Sequence, residues 1–320
     1  MSNYQKLSSK IQQLTINNPR TNYKIDWVNI VEAGKKEIEY LRKQYNFDMH
    51  HLNASSCNTF AQRPMIEDAG KYVFLIFHFP VLTDGEIISG EIEFFIGHQY
   101  LISLHNNNIP AMADFFNTAK KDQTSLLAYE SESSAMLLVD ILEKLISSTY
   151  DLLDENSKEI HEVEEVIFAQ KQKEAVSQIL NLRHNIINIR KILQNHKNIL
   201  KKLTELKSSL VDSQKIKENY ERLVEHSKRI WEILENQKEI IEALNSTNES
   251  MLNSMLSKIM KTLTIFSVIV FPLTLLAAIF GMNAINMPFV NEKYGFWYII
   301  AIMLIGCGFM LIWFRHKKWL

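Results

Sequence analysis

Counting back from Asn283, the residues Ala278, Thr274, Phe271, Ser267, Leu263 and Met260 recur at helical spacing. They make a face of small, polar and apolar side chains without a charge. One helix cannot enclose a conduit, but several copies around an axis can. That reads as a homo-oligomeric pore, although two-span anchors of membrane sensors also carry a few Ser and Thr. Other chemistry is thinly represented. The acids Glu155, Glu159, Glu162, Glu164 and Glu165 could collect divalent cations, yet their spacing equally gives a solvated helix face. The ten histidines include His50-His51 but no spacing typical of a metal site, and they read as surface residues. There is no P-loop, no Gly-rich dinucleotide turn and no HExxH, so no enzyme activity and no ATP-driven pump is expected. Cys57 and Cys307 lie in unrelated contexts and exclude a disulfide framework.

Two charge-free runs position the neutral face. No Asp, Glu, Lys or Arg occurs from Thr262 to Val290, or from Tyr294 to Phe314. Leu263 to Phe280 and Phe296 to Phe314 are long enough to cross about 30 Å of hydrocarbon. Tyr294, Phe296, Trp297 and Tyr298 at one end and Trp313 and Phe314 at the other form an interfacial aromatic belt. Lys258 and Lys261 precede the first run, and Arg315, His316, Lys317 and Lys318 follow the second. Between them, Lys293 is balanced by Glu292. The positive flanks place both termini in the cytoplasm and residues 281–293 outside. No cleavable signal peptide is expected at the mixed, polar N-terminus. Gly306 and Gly308 offer points of close approach in the second span.

The remaining chain is cytoplasmic in this reading. Lysine plus arginine total 35 and aspartate plus glutamate 36, a net charge of -1 that gives no global attraction for nucleic acid. Only 9 glycines and 6 prolines point to long helices. Residues 1–133 read as an α/β domain, with strands in Lys71–Val81 and Glu91–His105 and turns at Thr83-Asp84-Gly85 and Gly97-His98. Trp27–Tyr45 and Ile109–Lys121 fit helices, and Asn53–Arg63 fits a loop. Residues 134–211 read as an antiparallel pair of long helices, Ala135–Phe168 and Lys173–Leu206. From Asp212 or Ser213 a third helix carries the seam Ile216, Tyr220, Leu223, Ile230, Leu234, Ile241, Leu244, Met251 and Met255. Its 3.5-residue repeat marks helices packed about a common axis. No breaker separates the seam from the first span, so residues 212–280 are expected to form one rod of roughly 100 Å. The external loop is 281–294, the second span 295–314 and the basic tail 315–320.

Gly281-Met282-Asn283 closing the first of two C-terminal spans, Met287-Pro288 in the loop, and the ending Lys317-Lys318-Trp319-Leu320 closely resemble the CorA family of magnesium transport proteins. Gln62-Arg63-Pro64 with Glu67, and Leu263-Thr264-Ile265 with Pro272-Leu273-Thr274, extend the resemblance over nearly the whole chain. It implies an α+β cytoplasmic domain, a long helical stalk and two transmembrane helices assembled as a homopentameric funnel in the inner membrane. Asn283 would form the ring that receives hydrated cation, with Gly281 and Met282 beside it. Thr274 and Ala278 would line the pore below, and Phe271, Leu263 and Met260 would be apolar constrictions. A neutral amide oxygen suits an ion that gives up water reluctantly and must still leave. Asn283 also suits a helix C-cap. Magnesium enters as cargo and as a possible regulatory ion, with no cofactor. Entry of a doubly charged cation is favoured by about 4.6 kcal/mol per 100 mV.

Two departures follow from the same resemblance. The family loop often has an acid just after Met-Pro, where this chain has Phe289. The acids that commonly bridge subunits through cytoplasmic magnesium correspond to Ser55 or Ser56 and to Arg222. Glu221, Glu225, Glu67 and Asp68 are the substitutes in reach. Zinc, cobalt or nickel transport, and a pore-free coiled-coil scaffold, are the competing functions.

Overall fold

In a computed structural model, the described residues are 3–18, 23–56, 62–121, 132–206, 214–282, 288, 293–317 and 319. The chain divides into two compact units, residues 1–244 and 245–320. The α/β part and the helices that follow it therefore form one unit.

Among the described residues, seven strands build a single sheet. They are β1 (Asn3–Lys6), β2 (Ile11–Asn17), β3 (Lys24–Val31), β4 (Met65–Asp68), β5 (Val73–Thr83), β6 (Glu86–Ile96) and β7 (Tyr100–His105). Their order is β1-β2-β3-β7-β6-β5-β4. β3 and β7 run parallel and the other neighbouring pairs are antiparallel. Asp84 and Gly85 both have positive φ, at 51° and 83°, which gives the β5–β6 hairpin a turn whose twist matches its strands.

Helices α1 (Lys35–Tyr45) and α2 (Met49–Ala54) cover one face. There Leu41, Phe47 and Leu52 pack with Val28, Ile30, Phe74, Phe95 and Ile102. Helix α3 (Pro110–Lys121) covers the other face, where Trp27 meets Phe115 and stands edge-on to Phe116. Behind it lie α4 (Ser134–Phe168) and α5 (Gln172–Leu193), packed on each other and on the sheet. Ser133 caps α4 by accepting from the Met136 N–H.

Several local expectations are corrected. Trp27–Tyr45 is not one helix, because Ile25, Val28, Ile30 and Val31 form β3 between β2 and β7. The helix begins only after Gly34, whose N–H donates to the Glu37 carboxylate. The expected loop 53–63 overlaps the end of α2, and residues 57–61 lie outside the described residues. The expected helix 173–206 breaks after Leu193, and α6 (His196–Glu205) starts anew. There the ring of His196 donates from Nε2 to the His78 carbonyl at 2.6 Å, between the rings of Phe77 and Phe79.

Helix α7 (Gln214–Phe280) crosses the division between the units. In the first unit its seam residues Ile216, Tyr220, Leu223, Ile230, Leu234, Ile241 and Leu244 are buried. The Tyr220 hydroxyl donates to the Ala135 carbonyl, and Gln237 donates to the Leu153 carbonyl and the Ser157 hydroxyl. Beyond Leu244, Met251 is half-buried and Met255 is 54% exposed within the single chain. The second unit holds the rest of α7 and helix α8 (Gly295–His316). Both carry an apolar stretch long enough to cross a membrane. Gly306 and Gly308 face open space, so neither is a point of close approach within the chain.

Candidate ion pathway and metal sites

Met260, Leu263, Ser267, Phe271, Thr274 and Ala278 lie on α7. At 100° per residue they fall within an arc of about 80°. All are exposed except the half-buried Ser267, and Phe271 is 71% exposed. Phe266, Leu275 and Ile279 on other faces are exposed too, so exposure alone does not single out this face. Its distinction is chemical. The Thr274 hydroxyl donates to the Val270 carbonyl at 2.9 Å, which leaves its oxygen as an acceptor. Pro272 sits inside the helix and lacks the N–H that would bond Val268, freeing that carbonyl. The helix closes with the Gly281 N–H on the Ala277 carbonyl and the Met282 N–H on Ile279. A side chain at Gly281 would come within 3.1 Å of the Ala277 oxygen, so this turn favours glycine. Asn283, Met287 and Phe289 lie outside the described residues, while Met282 is exposed at the end of the face.

The substitute regulatory acids are not brought together. Glu67 pairs with His51 Nε2 at 3.3 Å, and Asp68 accepts from the Gly70 N–H at 2.8 Å. Glu225 pairs with Lys228 at 2.9 Å, and that hydrogen bond and charge hold its carboxyl below its usual range. Glu221 is exposed on α7. Arg222 pairs with Glu143 of α4 in the same chain at 3.1 Å. Ser55 is buried, with its hydroxyl on the His51 carbonyl. No cluster of three or more His, Cys, Asp or Glu side chains placed to hold a metal occurs among the described residues. In the run 155–165, Glu159 is raised by partial burial and by the charges of Glu155 and Glu162.

His51, His105 and His196 are not surface residues but buried ones. His51 accepts from the Tyr72 hydroxyl at Nδ1 and stacks on Phe74. Burial lowers His105 and His196 to about 4. The sequence reading also passed over Glu91 and Glu93, which share one face of β6. Glu93 is 7% exposed and raised well above the usual range, first by burial and then by its hydrogen bond with Glu91. Glu91 accepts from the Gln62 N–H and from His78. Burial pushes Glu91 up, but these bonds and one from Glu93 outweigh it and hold it below the usual range. The available signal was two acids two residues apart, with Ile92 between them, running into the apolar Phe94–Ile96.

An α/β domain followed by a very long helix that ends in an apolar stretch, and then by a second apolar helix, defines a membrane protein with a large extramembrane part. The family model described as CorA-like Mg2+ transporter protein matches residues 22–316. The chain belongs to that family of divalent-cation transporters. It is 24% identical over 293 residues to the putative metal ion transporter YfjQ of Bacillus subtilis, covering 92% of this chain and 89% of that one. It is 23% identical over 297 residues to the cobalt/magnesium transport protein CorA of Thermotoga maritima, covering 92% and 83%. The complete structure of the CorA magnesium transporter from Methanocaldococcus jannaschii superposes with a TM-score of 0.84 at 20% identity, over 93% of this chain and 92% of that one. The shared fold is the α/β domain, the long helix and the two apolar helices.

Proposed function

We propose that the protein is a passive magnesium channel of the bacterial inner membrane, built as a homopentamer with both termini in the cytoplasm. The observation that carries this reading is the uncharged face of α7. It runs from Met260 to Ala278 with no charged residue and ends at Gly281-Met282-Asn283. In this reading the lipid bilayer surrounds α8, and five copies of α7 enclose the path. A ring of Asn283 receives the hydrated cation, and Thr274 offers acceptor oxygens below it. Phe271, Leu263 and Met260 form apolar constrictions that gate by dewetting. Lys258 and Lys261 before the first span, with Arg315, His316 and Lys317 after the second, support the orientation.

Magnesium influx into proteoliposomes tests the reading, with cobalt, nickel and zinc as competitors. Asn283→Ala is expected to abolish or strongly reduce influx while the oligomer stays intact. Influx at the wild-type rate in an assembled mutant would sink the assignment. Zinc carried in preference to magnesium would replace the cargo but keep the pathway.

A further inference from the structure

A groove opens in the first unit between β4, at the edge of the sheet, and helix α6. It measures 510 Å³, with Arg63, Pro64, Ile66, Asn195, Lys201 and Lys202 among its walls. Small-ligand sites span about 300–1,000 Å³. Both walls are fixed from one place in the sheet, where His78 of β5 stands opposite Glu91 of β6. The Gln62 N–H, one residue before Arg63, donates to the Glu91 carboxylate at 3.0 Å. His196, the first residue of α6, donates from Nε2 to the His78 carbonyl at 2.6 Å. Ile66 lies opposite Leu75, so it shares the sheet face of Phe77 and Phe79, against which His196 packs.

The charge around this groove is one-sided. From Ala175 to Thr204 the chain has six lysines and arginines and no aspartate or glutamate, although its net charge is -1 overall. Arg63, Lys201 and Lys202 are exposed and have no ion-pair partner among the described residues. Elsewhere in the unit, Lys10, Lys43, Lys158, Lys215 and Lys228 each meet a carboxylate. Asn195 makes no cap bond to α6, and neither its amide nor that of Asn198 has a hydrogen-bond partner among the described residues. The acid among the described lining residues is Glu205. Glu67 of β4 stands on the opposite face of the sheet, paired with His51. Pro64, Ile66 and Ile199 add an apolar wall.

Three unpaired cations and two free amides repel a metal ion and suit a polyvalent anion. A planar arginine fork with lysine point charges and amide donors is the chemistry of phosphate recognition. Three positive charges match a chain of phosphates better than a single one. A bare polyphosphate would leave the apolar wall uncovered, whereas a nucleoside covers it. We propose that this groove binds one nucleoside triphosphate per chain. Arg63, Lys201 and Lys202 hold the phosphates, Asn195 and Asn198 donate to them, and the base lies against Pro64 and Ile66. The walls are already held by the bonds to Glu91 and His78, so little ordering is needed on binding. The site stands without the transport reading, because none of its residues lies on the uncharged face of α7.

Radiolabelled ATP is the probe, added to the full-length protein in detergent and magnesium-free buffer, with binding read by equilibrium dialysis. One saturable site per chain is expected. Lys201→Gln with Lys202→Gln should weaken it at least tenfold, and Arg63→Gln severalfold; all three positions are exposed, so the fold should survive. Lys35→Gln with Lys36→Gln removes the same charge from the exposed start of α1 and should leave the affinity within twofold. Equal weakening by the two lysine pairs overturns the proposal, since the attraction would then be to net charge alone. Inorganic tripolyphosphate should bind severalfold more weakly than ATP, and equal affinity overturns the nucleoside assignment. A polyglutamate peptide that binds through Lys201 and Lys202 where ATP does not would overturn it in favour of an acidic protein segment. No saturable binding at millimolar ATP overturns it outright.

Discussion

Thr274→Val removes a hydroxyl oxygen that the exposed part of the α7 face presents as an acceptor. Valine keeps the branched shape, so the apolar packing is preserved. The lost intrahelical bond to Val270 is 2.9 Å long and costs the helix little, because such back-bonds stabilise helices weakly at best. The effect should fall on the passing ion. On the proposed pathway, water around a hydrated cation donates to the threonine oxygen, and one such bond has a net worth of about 0.5–1.5 kcal/mol. At the level of a transit barrier that is about twofold to about tenfold per lost contact. Thr274→Val is therefore expected to slow magnesium influx up to about tenfold, while Thr274→Ser stays within about twofold of wild type. The assay is dye-reported influx into proteoliposomes at matched protein density. Equal rates for Thr274→Val and wild type would refute the reasoning, since the face would then not be lined by water. A drop in Thr274→Ser alone would point to helix packing instead.

Phe271→Ser should hydrate the apolar constriction and raise leak at high internal magnesium; unchanged leak moves the barrier to Leu263 or Met260. His196 is held near 4 by burial, below its unfolded value of about 6.5. Between these values the unfolded chain binds the extra proton, so stability is complete above pH 6.5 and falls by about 1.4 kcal/mol per unit as pH drops towards 4. His196→Gln should flatten that acid limb in denaturant titrations at pH 4–6.5, and an unaltered slope shows that another group carries it. Glu221→Gln with Glu225→Gln should shift flux inhibition to higher internal magnesium. Inhibition at the wild-type concentration leaves these acids as a solvated face.

The apolar helices and the long helix were legible because their signals are local: absence of charge and a 3.5-residue repeat. The sheet was only half legible. β5 is a nearly continuous apolar run and β6 ends in one, whereas β2 buries only Ile11, Leu14 and Ile16 among polar residues. β3 looked helical because its apolar residues, buried on both faces, do not alternate. The histidines failed for a different reason. His51 meets Tyr72, and His196 meets the His78 carbonyl 118 positions away. No spacing rule reveals a partner supplied by the fold. The motif Gly281-Met282-Asn283 was legible as a motif, and the structure adds the crowding that favours glycine at its first position.

The ion pairs set a condition on any regulation through the stalk. Ser55 has spent its hydroxyl hydrogen on His51, and Arg222 is engaged with Glu143 within its own chain. Of the four acids placed to substitute, Glu67, Asp68 and Glu225 each hold a partner within the chain. A cation recruited to any of these three must displace that partner, which is easiest at Glu225, whose pair with Lys228 is exposed and therefore weak. Glu221 has no ion-pair or hydrogen-bond partner among the described residues and can bind without that cost. A single carboxylate is a poor ligand set for a divalent ion, which ordinarily takes oxygens from several groups. Closure through Glu221 therefore requires oxygens from a second chain. Such binding depends on assembly of the oligomer, so inhibition by internal magnesium through Glu221 should be lost in dissociated chains.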